Sequence, residues 1–226
     1  MRLRFCLTLC FLLSPFCMTA GATPPDPIGP GNWETLGERK GVKRSRKYIK
    51  RTGLFAVRGE IVINRPMDIV ASVVCDHTRW TEWTKTLERS EVLGRDQNNA
   101  LIVYQVFDMP IILSDRDVVY SFSLRQVGNQ YHIVGQTRPG QTGPKSVGVR
   151  MNLEMGRWVL TPNPDGSTHL VLEVLMDPKG VLPKWFVNIV QRNYTADTLD
   201  KLRAQAQKKD IVPLMNPPQG CALKRP

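Results

Sequence analysis

The sequence predicts an α+β chain in which a curved antiparallel β-sheet wraps a long C-terminal α-helix and encloses an apolar cavity. Three observations carry this. Strand-like runs at 87–94, 100–109, 117–126, 130–137, 146–160 and 168–176 are separated by turn signals, as in an antiparallel meander. A stretch of about 25 residues near the C-terminus keeps Leu182, Phe186, Ile189, Ala196, Leu199, Leu202 and Ala206 on one stripe. A curved sheet must cover its apolar concave face, and one long amphipathic helix can do so while leaving a closed space between the two.

The chain of 226 residues opens Met1-Arg2-Leu3-Arg4, runs through an apolar stretch from Phe5 to Met18 and ends it on small residues, Thr19-Ala20-Gly21-Ala22. A basic start, a short apolar core and an Ala-x-Ala end predict a secretory signal peptide over 1–22, cleaved after Ala22. The run is shorter than the ~20 apolar residues of a spanning helix, which argues against an uncleaved anchor. The mature chain is then exported, to a periplasm or the outside, as a single domain of about 204 residues. The formal charge of +11 falls to about +9 without Arg2 and Arg4, a basic surface suited to transient contact with anionic membranes. Export removes nucleic acid as a partner. Of the five cysteines, Cys75 and Cys221 remain. A disulfide between them is open in an oxidising compartment; the simpler expectation is a buried thiol at 75 and a free tail thiol at 221.

Residues 23–31 form a Pro/Gly-rich extended linker. Asn32 to Arg39 suggests a short helix. Residues 39–51 hold eight Lys or Arg among thirteen positions, which reads as a solvated edge strand or, more sharply, a membrane-docking patch. Leu54 to Ile63 alternates as a half-buried strand. Asn64-Arg65-Pro66 opens a helix bearing Met67, Val70, Ala71, Val74 and Cys75, followed by a second turn with Trp80 and Trp83. In the meander, Val147, Val149, Met151, Leu153 and Met155 are expected on one face, and Leu170, Leu172, Val174 and Met176 on another. Asp177-Pro178-Lys179-Gly180 ends the last strand and starts the long helix. Beyond Lys208 a polar, Pro-rich tail, 208–226, is expected to be disordered.

Several ordered motifs resemble the START (StAR-related lipid-transfer) domain family. Asp76-His77-Thr78-Arg79-Trp80-Thr81-Glu82-Trp83 looks like its Asp…Arg…Trp helix region. Ser114-Asp115-Arg116-Asp117-Val118-Val119 resembles its Arg-Asp-hydrophobic strand opening, and Val147-Gly148-Val149-Arg150 the start of a later strand. Trp158-Val159-Leu160-Thr161-Pro162 matches its strand-to-turn exit. Asp177-Pro178-Lys179-Gly180-Val181-Leu182-Pro183-Lys184-Trp185 is similar to its entry into the last helix. The resemblance covers residues 33–207, within a domain drawn at 32–207, and is that of an exported bacterial-type member. It implies a helix-grip fold, a lipid or sterol-like hydrophobic ligand, no cofactor, a monomer and no enzymatic reaction.

On the strand from Arg116, the residues Val118, Tyr120, Phe122 and Leu124 share its parity and should face inward. Arg116 is then either a hook for a polar head group or a buried partner of a carboxylate that fixes the loop. Asp117 points away, and Arg150 has an outward, structural parity. Asn193 interrupts the apolar helix stripe and needs a partner, in the ligand or in the protein. Tyr104 is a further candidate on a strand apolar on both faces. Met109, Ile111, Tyr120, Phe122, Met151, Phe186, Ile189 and Val190 complete the expected lining, with the apolar loop Met109-Pro110-Ile111-Ile112-Leu113 closing the cavity. In steroid-carrying members an acidic and a basic residue occupy positions near Val103 and Phe122, neither charged here. This points to a more apolar ligand or to a head group near Arg116.

Two other readings stand beside lipid binding. A cyclase-like helix-grip enzyme would need a cavity-facing acid or base; His77, His132 and His169 are the histidines, and none lies in a nucleophile motif or at metal-ligand spacing. An interaction module would have a packed core and no ligand.

Overall fold

The computed structural model describes residues 26–110, 113–182, 184–215 and 221, with the backbone alone over 184–192. The expected signal peptide at 1–22 lies outside the described residues. The strands are β1 (Glu34–Arg39), β2 (Val42–Ile49), β3 (Leu54–Ile63), β4 (Leu87–Arg95), β5 (Leu101–Phe107), β6 (Arg116–Val127), β7 (Gln130–Gln136), β8 (Val149–Arg150), β9 (Asn152–Pro162) and β10 (Thr168–Asp177). Helix α1 (Met67–Cys75) and a 3-10 turn (His77–Glu82) follow β3, and α2 (Lys184–Gln205) follows β10.

The strands form one sheet in the order β1-β2-β3-β10-β9-β7-β6-β5-β4, with β8 added in parallel to the start of β6. All other pairings are antiparallel. Both helices lie against the same, inner, face. There α2 packs on β2 and β3, and α1 packs on β9 and α2. The main apolar core is built here, from Val57 and Ile61 of β3, the inward residues of β5, β6, β7, β9 and β10, Ala196, Leu199 and Leu202 of α2, and Ala206 just beyond it. Helix α1 is buried from Ile69 to Cys75, as suits a helix apolar nearly all round. Gly59 lets α2 come close: a Cβ there would stand 2.7 Å from Thr195 Cβ and 2.9 Å from Leu199 Cδ1.

Several expectations are corrected. The segment expected to be a short helix at 32–39 contains β1. Lys40 and Gly41, at φ 56° and 73°, make the two-residue hairpin turn with positive φ that matches strand twist, and Arg39 pairs with Val42. The basic stretch is therefore β2, one strand in from the edge, and much of its charge is used internally. Lys40 Nζ reaches Asp197 at 3.0 Å and Asp200 at 3.2 Å, pinning the hairpin to α2. Arg46 pairs with Glu34 and Arg51 with Glu154. Lys47 Nζ donates to the carbonyls of Ile28, Gly29 and Pro30. That last contact holds the segment from Asp26 against the outer face, where Ile28 packs with Ile49, Ala56, Met155 and Leu175. The described part of the linker is thus docked.

Met155 was expected beside Leu153 but lies on the opposite face. In the β9–β10 pair, Leu175 faces Met155 and the next residue, Met176, faces Leu153. Glu154 is an extra residue, a β-bulge, and one extra residue inverts the parity of the strand. Val147 lies before β8 and is 40% exposed.

The tail is anchored at two described points. The Leu214 N–H donates to Asp68 O at 3.1 Å, with the side chain buried. Cys221 is joined to Cys75 in a disulfide, in place of the two free thiols expected. Sequence spacing does not reveal this pairing, because the chain beyond α2 turns back to α1.

Candidate functional site

β6 runs the length of the inner face and sets the site. Val118, Tyr120, Phe122 and Leu124 all join the main core, so the strand shows its even-numbered residues to the interior. Arg116 shares that parity and is 3% exposed. Its guanidinium donates to Ser114 O, while its Nε has no hydrogen-bond partner among the described residues. A Cβ at Gly180, in the reversal before α2, would stand 3.7 Å from Arg116 Nη2. Arg116 therefore sits where the start of β6, β8 and the entry to α2 meet. No carboxylate is paired with it among the described residues, so the reading of Arg116 as half of an ion pair is not what the structure builds.

The carboxylate next to it does something else. Asp117 faces outward and its side chain is fully buried. It accepts from Arg150 Nε at 2.6 Å and Nη2 at 2.9 Å, from Val147 N–H at 2.9 Å, from Ser146 Oγ at 3.0 Å and from Tyr104 Oη at 3.2 Å. Burial alone would raise its pKa; the hydrogen bonds from Arg150, Val147 and Ser146 and the Arg150 charge outweigh that and hold it below the ordinary value. This cluster locks the 144–150 loop to the start of β6. It also relocates Tyr104. That residue packs with Val106 and Val119 on the outer face, so it is removed from the ligand candidates. β5 is apolar on both faces because both are covered, and parity gave no direction.

Tyr120, Phe122 and Met151 are brought together on the inner face. Met109 is half-buried in the β5–β6 loop, its N–H donating to Asp115 Oδ1 at 3.1 Å. Ile111 lies outside the described residues, as do the side chains of Phe186, Ile189 and Val190. Asn193 is corrected to a structural contact: its Oδ1 accepts from Arg44 Nη1 of β2 at 3.4 Å.

One residue on the inner face was missed as a binding candidate. His77 is 1% exposed, and its ring lies 4.3 Å from that of Phe122 and 4.8 Å from that of Trp80. Burial pushes its pKa down to about 3. A lone histidine in a helix-turn gave no sequence signal of this position.

A described cavity of about 560 Å³ lies elsewhere, between α1, the 3-10 turn, the end of α2 and the segment 210–215. Its wall carries the Arg79, Glu82 and Asp210 ion pairs, so it differs in place and polarity from the apolar space expected under α2.

With the geometry in place, comparisons with known proteins give one answer. The profile of the START domain matches residues 30–210. The phosphatidylcholine transfer protein of Bos taurus is 25% identical over 170 residues, covering 71% of this chain and 78% of that protein. An uncharacterized protein of Pseudomonas aeruginosa is 24% identical over 179 residues, covering 79% and 88%. Among solved structures, the STAR-related lipid transfer protein from Xanthomonas axonopodis superposes with a TM-score of 0.69 at 22% identity, over 79% of this chain and all of that fragment. Human StAR-related lipid transfer protein 5 gives a TM-score of 0.70 at 17% identity, over 77% and 86%.

Proposed function

The chain belongs to the START domain family, and from that premise we propose that it binds one amphiphilic lipid between the inner face of the sheet and α2, and transfers it between membranes without chemical change. The observation that carries this is Arg116. A buried guanidinium whose Nε has no hydrogen-bond partner among the described residues is costly unless something anionic or strongly polar meets it. A lipid phosphate or carboxylate supplies that partner through charge-assisted hydrogen bonds. The sheet-facing stripe of α2 and the inward face of β6 would hold the tails. The likeness to a phosphatidylcholine transfer protein supports a head group of this kind.

Two further parts of the reading concern place. Export through a signal peptide at 1–22 is supported by the Cys75–Cys221 disulfide, which persists in oxidising compartments. Membrane contact is proposed at the Arg116 end, where Val181 is 94% and Val147 40% exposed, with exposed Lys145 and Lys179 nearby in sequence. Apolar and basic residues together suit an anionic bilayer.

The test is to incubate the mature protein with vesicles of phosphatidylcholine and phosphatidylglycerol, re-isolate it and extract it for mass spectrometry. We expect one lipid per protein, and an Arg116→Leu variant of unchanged circular dichroism to retain at least about tenfold less. A wild-type protein that emerges empty would favour a plain interaction module and end the proposal.

A further inference from the structure

His77 lies on the inner face with no hydrogen-bond partner among the described residues. It opens the 3-10 turn directly after α1 and is 1% exposed. Its described neighbours are rings: Phe122 at 4.3 Å, Trp80 at 4.8 Å and Tyr120 at 6.0 Å between centroids. The indole N–H of Trp80 is already given to Val74 O at 3.1 Å. Among the described residues, neither Nδ1 nor Nε2 of His77 has a hydrogen-bond partner. A buried ring that only packed would be better served by Phe, since each unsatisfied nitrogen carries a desolvation cost.

We propose that His77 is a second polar anchor for the bound ligand, and that this ligand carries an uncharged oxygen, a hydroxyl or carbonyl, at its buried end. The inference rests on the reading that the grip holds an amphiphile. Arg116 and Phe122 stand on the same face of β6, six residues apart, so the strand carries the chain about 20 Å from one anchor to the other. Val118 and Tyr120 lie between and join the main core, where Tyr120 is 3% exposed with its phenol hydroxyl. The inner face thus presents a guanidinium at one end of this stretch, an imidazole at the other, and between them the Val118 side chain and the Tyr120 phenol. A plain acyl chain would satisfy Arg116 with its head and leave His77 unbonded. A neutral imidazole offers one N–H donor and one acceptor, and burial keeps the ring neutral. An anionic group at that end would gain no countercharge among the rings, which limits the partner to an uncharged oxygen.

The experiment compares hexadecanoic acid with its ω-hydroxy derivative by calorimetric titration of the mature protein. The ω-hydroxy acid is expected to bind about tenfold tighter. His77→Phe should abolish that preference while keeping the affinity for hexadecanoic acid, and should raise the melting temperature of the ligand-free protein. The imidazole nitrogen chemical shifts of the wild type should move with the ω-hydroxy acid and not with its parent. Equal wild-type affinities, or a preference that survives in His77→Phe, overturns the proposal while leaving lipid binding intact. Failure of both acids to bind overturns the amphiphile reading and this proposal with it. Should His77→Phe not fold, the wild-type affinities and nitrogen shifts decide alone: unmoved shifts overturn the assignment.

Discussion

Arg150 of β8 grips Asp117 at two points, Nε to Oδ1 at 2.6 Å and Nη2 to Oδ2 at 2.9 Å, and so joins β8 to the start of the strand that sets the site. The carboxylate is fully buried, whereas the guanidinium is 32% exposed. Removing the acid therefore leaves a cation that can still reach water, but strips the Val147 N–H and the Ser146 and Tyr104 hydroxyls of a shared acceptor. Asp117→Ala is expected to lower stability to urea by about 3 kcal/mol, the low end for a broken buried pair. A change within experimental error would show that the loop is held by its backbone pairing alone.

Asp117 also sets a pH dependence. Its folded pKa is below the ordinary value, so its stabilising contribution is complete above the unfolded value, near pH 4, and is lost as pH falls through the folded one. The urea midpoints of wild type and Asp117→Asn should differ most at neutral pH and converge in acid. Parallel curves down to the acid limit would contradict this.

Gly59 controls how closely α2 lies on β3. Adding a methyl group at 59 meets Thr195 Cβ at 2.7 Å, inside the distance that side chains tolerate. Gly59→Ala is expected to cost about 1–3 kcal/mol by overpacking. A double substitution, Gly59→Ala with Thr195→Gly, which removes both Thr195 atoms that the methyl meets, should cost less in thermal melts than the sum of the two single substitutions. Strictly additive losses would place the cost elsewhere.

Reduction of Cys75–Cys221 should destabilise the protein. A native cross-link contributes about 2–5 kcal/mol, so Cys221→Ser is expected to melt at lower temperature than the oxidised wild type and to match the reduced one. Thiol titration of an unfolded, unreduced chain of residues 23–226 should find no free cysteine.

Much of this fold can be read from residue pattern alone, and the failures have physical causes. The meander was legible because its strands alternate and its turns carry Asn, Asp and Gly. The inward face of β6 followed from Val118, Tyr120, Phe122 and Leu124, and the outward, structural role of Arg150 from its parity. Glu154 defeats the same argument, since a bulge leaves no mark in hydrophobic alternation. Tyr104 could not be oriented because β5 is covered on both sides. The Lys40-Gly41 turn was a readable signal of a hairpin, masked by the weight of basic residues around it. For His77, packing in three dimensions decides everything: only the approach of β6 to the 3-10 turn surrounds it with rings.

The disulfide has a mechanical consequence. It closes a covalent ring over a separation of 146 residues, from the end of α1 through the meander and α2. If the chain were drawn out by its two ends, tension would pass from Cys75 straight to Cys221. β1 to β3 and α1 would lengthen, while the strands and helix that form the rest of the grip would bear no load until the sulfur–sulfur bond was cut.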